Sequence, residues 1–203
     1  MRADLKKEIP SYQARHGQFV EIEVPPLQYL MIDGHGDPNT STAYADALAS
    51  LYPLAYKLKF LSKRELDRDY VVPPLEALWW AQDMSAFTSG RDKSQWDWTA
   101  MILVPDWLSA EHVEAAREAA ATGDPPSLDQ VRLESLHEGL CVQTLHLGSY
   151  DDEGPVLTEM HERFIPSQGL GMIGKHHEIY FNDARRTAPE KLKTILRQPV
   201  ERV

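Results

Sequence analysis

The chain has a single cysteine, Cys141, among 203 residues. One thiol excludes an internal disulfide and any cysteine-rich metal site. Leu140 and Val142 flank it, so it reads as a buried strand thiol rather than a nucleophile. No apolar run approaches the roughly 20 residues that a membrane helix needs. The start, Met1-Arg2-Ala3-Asp4-Leu5-Lys6-Lys7, lacks the apolar stretch of a signal peptide, which places the protein in the cytoplasm. Basic charge is scarce: 21 Lys and Arg face 31 Asp and Glu, for a net charge of −10. Phosphate contact needs a basic footprint, so nucleic acid is not expected as a direct partner. Neither G-x-S-x-G nor H-E-x-x-H occurs, which removes two common hydrolase designs. His176 and His177 are neighbours on a strand and face opposite ways, so they cannot share one ion. No metal and no cofactor is expected.

What the sequence does hold is the make-up of a soluble globular protein, 42% hydrophobic and 26% charged, long enough for one large domain or two fused small ones. Residues 1–17 read as an irregular lead-in. Phe19 to Ile32 holds a strand pair or one bent strand, broken by Pro25-Pro26. Tyr44, Ala47, Leu48, Leu51, Leu54, Ala55 and Leu58 recur at helical spacing, so a helix should run from Asn39 or Thr40 to about Phe60, kinked or broken near Pro53. Gln82 to Lys93 reads as a polar loop, and Trp96 to Val104 as a strand with Trp96, Trp98, Ala100, Ile102 and Val104 on one face. Ser109 caps a helix through Ala121. Strands follow over Val131–Leu136 and Cys141–Leu147, then a helix over roughly 152–165, a glycine-rich loop over 166–174, and a final strand from Leu192 to Val200.

Two short stretches stand out. Leu75-Glu76-Ala77-Leu78-Trp79-Trp80 and His176-His177-Glu178-Ile179-Tyr180-Phe181 each read as a strand with one carboxylate among aromatic residues. Alternation puts His176, Glu178 and Tyr180 on one face, and Glu76, Leu78 and Trp80 on one face. Either glutamate alone is most simply a solvated surface group; the duplication shifts the balance. The halves lie over each other as strand, helix, strand, strand, with repeats over about 18–121 and 128–203. The expected fold class is α+β, one mainly antiparallel sheet with helices on one face and a central groove. That groove would receive Glu76 from one repeat and Glu178 from the other, a frequent place for a ligand.

Leu30-Met31-Ile32-Asp33-Gly34-His35-Gly36-Asp37-Pro38, Tyr52 to Phe60, Pro74 to Trp80, His146 to Glu153 and His176 to Asp183 together resemble the GyrI-like small-molecule-binding family. The likeness spans about residues 18–200, and it reads as a stand-alone member without a helix-turn-helix segment. The resemblance implies a paired strand-helix-strand-strand fold and a ligand groove. Glu76, Glu178 and Tyr180 are then the candidate catalytic groups, with Glu76 and Glu178 as an acid/base pair. Trp79, Trp80, Trp98, Tyr150, Met172 and His176 are the candidate ligand contacts, the choice between Trp79 and Trp80 being open. The implied partner is an aromatic or cationic small molecule, bound by a monomer or homodimer.

Three activities fit this resemblance. One is hydrolysis of a strained cyclopropane in a genotoxic compound, with carboxylates as acid and base. A second is capture or sensing of a flat ligand without turnover. A third is a gyrase-inhibitor-like protein-interaction module.

Overall fold

A computed structural model describes residues 2–82 and 92–203. Most of the polar loop expected over Gln82 to Lys93 lies outside the described residues. The fold is α+β, and its strands pair mostly antiparallel. Two compact units interleave along the chain. One holds the residues up to Glu8, Leu27–Pro73 and Trp80–Leu136; the other holds Ile9–Pro26, Pro74–Trp79 and His137–Val203. The segment carrying Glu76 therefore belongs to the same unit as Glu178.

In the second unit β1 (Val20–Val24) pairs with β6 (Gly139–Leu147), β6 with β9 (Lys193–Arg202), β9 with β8 (His176–Tyr180), and β8 with β3 (Leu75–Trp80). A short strand, β7 (Leu170–Met172), lies within the expected glycine-rich loop and pairs with the end of β9. The expected single helix over 152–165 is instead a succession. A 3-10 turn at Tyr150–Glu153 leads to α4 (Gly154–Thr158), a π-helical stretch at Glu159–Phe164, and α5 (Ile165–Ser167). Pro155 and Pro166 sit at the starts of α4 and α5, where a missing N–H costs least. Met160 and Ile165 from this segment close a core with Val142, Leu170, Leu196 and Val200. Phe19 and Phe164 meet at its margin, ring centroids 5.2 Å apart.

The lead-in from Ile9 onward belongs to this unit as well. Pro10–Tyr12 forms a 3-10 turn, Ser11 and Tyr12 are buried, and His16 bridges to Leu145. Burial of Tyr12 explains why so polar a stretch holds one conformation.

The first unit places β2 (Leu27–His35) between β4 (Asp97–Leu103) and β5 (Arg132–Leu136). Helix α2 (Thr42–Glu65) packs on β2 and β4 through Ala47, Leu51, Leu54, Ala55 and Leu58, all buried at helical spacing. It continues past Pro53 as one element and beyond the expected end at Phe60. Leu61 and Ser62 extend the buried face, and Lys63 and Arg64 favour the helix C-terminus. Asp67, at φ 51°, then turns the chain. Helix α3 (Ala110–Ala121) starts at Ser109 as expected and packs against α2.

Gly34 on β2 faces Trp98 on β4, and the indole lies over the glycine. A Cβ there would sit 2.1 Å from two indole carbons. Trp98 is fully buried and edge-on to Tyr44, with centroids 4.9 Å apart, so the ring has no room to retreat. Gly34→Ala is predicted to destabilise the fold by about 1–3 kcal/mol, the usual cost of overpacking. Chemical denaturation of the variant checks it, with an unchanged midpoint as the contrary result.

Candidate functional site

The register of β8 between β3 and β9 decides which side chains can meet. Ala77 lies opposite Glu178, Glu76 opposite Ile179, Leu196 opposite Glu178, and Arg197 opposite His177. Paired residues share a face and neighbours alternate. Trp79, His176, Glu178, Tyr180, Thr194 and Leu196 therefore point to one side of the sheet. Leu196 belongs to the core closed by Met160 and Ile165, so this is the side covered by the helical segment. Glu76, His177 and Arg197 point to the other side.

On the helix side, aromatic and acidic groups form a chain. The Trp79 indole N–H donates to the Tyr180 hydroxyl oxygen at 2.9 Å, and that hydroxyl donates to Glu178 Oε2 at 2.6 Å. The second carboxylate oxygen, Oε1, lies 3.3 Å from His176 Nε2. Tyr150, from the turn before α4, stands edge-on to Tyr180 with centroids 5.5 Å apart. His161, on the π-helical stretch, stands edge-on to His176 at 5.9 Å. Burial, helped by His176, pushes the His161 ring down to about 3, so it is neutral at physiological pH. A π-helical stretch over such a cluster is a frequent accompaniment of function.

The reverse side holds a closed charge network. His177 Nδ1 lies 2.9 Å from Glu138 and its Nε2 lies 2.9 Å from Glu76. Carboxylates at both ring nitrogens are satisfied together only by the doubly protonated ring. Tyr12 donates a short hydrogen bond to the other Glu76 oxygen. Arg197 donates to Glu138 at 2.7 Å, to the Ser11 carbonyl at 2.7 Å and to Gln143 at 3.0 Å, while Gln143 donates to the Gln13 carbonyl at 3.0 Å. These bonds explain the ordering of the lead-in: it supplies the acceptors that buried Arg197 and Gln143 require. Burial alone would push the Glu138 carboxyl up, but His177 and Arg197 outweigh it and hold the group at about 2. Burial likewise favours neutral His177, yet Glu138 and the hydrogen bonds to Glu138 and Glu76 raise its pKa above the ordinary value.

Glu76 and Glu178 do not share a hollow. They sit on adjacent strands but point to opposite faces, and Glu76 is wholly enclosed by Tyr12 and His177. Their expected partnership as acid and base is corrected on that ground. The register decides it, since Ala77 rather than Glu76 lies opposite Glu178. The other candidates divide. Tyr180, Trp79, His176 and Tyr150 gather around Glu178. Of the tryptophan pair, Trp79 shares the Glu178 face, and alternation turns Trp80 away. Trp98 lies in the other unit, buried between Gly34 and Tyr44. Met172 is exposed on β7. Tyr12, Glu138, His177 and Arg197 escaped the sequence reading because their partners come from segments far apart in the chain. Cys141 is buried as expected, which pushes its thiol up to about 12. Among the described residues no group of three or more His, Cys, Asp or Glu side chains is placed to hold a metal ion. None of the described helices is long and apolar enough to cross a membrane.

The network gives a pH signature. Glu138 has a lowered folded pKa, so its contribution is present above the usual 4.5 and is lost as pH falls toward about 2. His177 has a raised one, so its contribution is present below the usual 6.5 and is lost as pH rises through the folded value. The two together predict greatest support between these limits. Glu138→Gln leaves two buried cations short of a counter-charge and should cost about 3–5 kcal/mol. Denaturation midpoints against pH check this: the variant should lose the acid-side decline, and an unaltered profile would contradict the assignment.

Three crystal structures of Listeria innocua proteins resemble this chain throughout. One is an uncharacterized conserved protein, 38% identical, with a TM-score of 0.89, covering 98% of this chain and 100% of the other. Two are hydrolases, 38% and 39% identical, each with a TM-score of 0.85, covering 98% and 99% of this chain and 100% of theirs. The C-terminal domain of EcmrR is 12% identical with a TM-score of 0.56 over 92% of this chain and 98% of its own, a likeness of fold alone. No curated protein matches the chain. The model of the GyrI-like small molecule binding domain matches residues 18–201, and the chain belongs to that family.

Proposed function

We propose that the protein takes a flat aromatic ligand on the helix-side face of β3, β8 and β9, with Glu178 meeting the ligand's polar or cationic group. The observation that carries this reading is the hydrogen-bonded chain from Trp79 through Tyr180 to Glu178. Aromatic faces beside a carboxylate suit such a ligand, with about 0.5–2 kcal/mol for each cation held over a ring. The order of elements also fits a duplicated origin, with β2, α2, β3, β4 equivalent to β6, the helical segment, β8, β9.

The finer reading is hydrolysis of an activated cyclopropane, supported by the two Listeria innocua hydrolases at 38–39% identity. Glu178 takes a proton from water through Oε1, the oxygen that Tyr180 does not occupy. The water oxygen bonds to a ring methylene and the neighbouring carbon–carbon bond breaks. Its electron pair passes through the conjugated dienone to the carbonyl oxygen. Tyr180 gives its proton to that oxygen, and the cycle closes when the proton on Glu178 Oε1 leaves to solvent and solvent returns one to Tyr180, their own hydrogen bond being made at Oε2. One water is added and nothing is oxidised or reduced. Glu76 has no part in this chemistry.

The test uses a spiro-cyclopropyl cyclohexadienone and follows the hydroxyethyl phenol that water addition yields. Glu178→Gln and Tyr180→Phe are each predicted to slow product formation by ~10²–10⁴-fold, the usual worth of a positioned proton transfer. Unchanged turnover in both variants would remove the mechanism. A compound that binds tightly and is recovered intact would leave capture as the activity.

A further inference from the structure

One row of side chains beside Glu178 has a different character from the aromatic wall. Tyr180 lies opposite Thr194, and Thr194 opposite His146, so the three run side by side across β8, β9 and β6 on the helix side. Thr194 is completely buried, and His146 is nearly so. His146 Nε2 lies 2.9 Å from the Ser149 carbonyl oxygen, which can only accept, so that nitrogen carries the hydrogen. Nδ1 is then the acceptor of the neutral ring, and it has no hydrogen-bond partner among the described residues. Thr194 Oγ1, a donor and an acceptor, also has none there. The ring is held in this setting by its own turn. Gly148, at φ 137°, passes so close that a Cβ would lie 3.2 Å from His146 Nε2. Buried polar atoms are nearly always paired, and two such atoms on adjacent strands at one level ask for a shared partner.

We propose that Thr194 and His146 form a polar subsite for a neutral hydroxyl or N–H-bearing group on the ligand, one position along the sheet from Tyr180. A hydroxyl fits both atoms at once: it donates to His146 Nδ1 and accepts from Thr194 Oγ1. The ligand class narrows accordingly, from any flat aromatic or cation to a planar aromatic carrying a neutral hydrogen-bonding substituent. The inference rests on reading the Glu178 face as the ligand site.

Flavone and 7-hydroxyflavone, which differ by one hydroxyl, are the probes, with binding read from quenching of tryptophan fluorescence. The wild type should prefer 7-hydroxyflavone. Thr194→Val keeps the shape and removes only the hydroxyl. It should weaken 7-hydroxyflavone about three- to tenfold, leave flavone unchanged, and leave the thermal midpoint equal or higher, since a buried hydroxyl without a partner contributes nothing to the fold. Glu178→Gln should weaken both compounds. Equal affinity of the wild type for both flavones, an unselective loss in Thr194→Val, or a lowered midpoint in that variant would each overturn the subsite while the Glu178 site stands. No binding of either flavone, or no effect of Glu178→Gln on either, would overturn the ligand site and the subsite with it.

Discussion

The register of β8 against β3 and β9 is the constraint on which everything else in the second unit depends. One residue, His177, turns toward a sealed face and is held between two carboxylates. The next, Glu178, turns toward the helical segment and takes its hydrogen bond from Tyr180. A slip of one position would exchange these sides, putting His177 among the aromatic rings and Glu178 into the charge network. The network makes such a slip costly, because it would take His177 from between the buried carboxylates of Glu138 and Glu76.

The two faces thus divide labour between neighbouring residues. On the sealed face, charges of opposite sign neutralise each other, and the lead-in supplies the last acceptors through the carbonyls of Ser11 and Gln13. The hydrogen bonds of Glu138, His177 and Arg197 on that face are made within the protein. On the helix face, a carboxylate sits at the end of an aromatic chain, and polar atoms of Thr194 and His146 lie nearby without hydrogen-bond partners among the described residues. The same strand therefore closes a charge network on one side and presents a carboxylate among aromatic rings on the other. Membership in a small-molecule-binding family agrees with that division.

Much of this was legible in the sequence, because period-two alternation is local. It grouped His176, Glu178 and Tyr180 correctly and set the adjacent histidines apart. The long helix α2 was legible from its apolar spacing, and Ser109 marked the start of α3. The repeat matched Glu76 to Glu178 but did not fix the register of β3 on β8, which sets Ala77 rather than Glu76 opposite Glu178 and turns the two carboxylates to opposite faces. Glu76 and Trp79 are three residues apart and so face opposite ways. The partners of His177 were not legible at all. Glu138 and Arg197 come beside it only through the order β6-β9-β8 and Glu76 through the pairing of β8 with β3, and Tyr12 reaches Glu76 through the fold of the lead-in. The end of α2 was missed because Leu61 and Ser62 are buried by tertiary packing rather than by any local signal.

A crystal structure of the protein with bound 7-hydroxyflavone tests the central claim most directly. The account predicts the ring system against Trp79 and Tyr180, with a polar atom of the ligand within about 3 Å of Glu178 or of the Thr194 and His146 pair. Ligand density against Glu76 and His177, with the aromatic face of β8 empty, would contradict it.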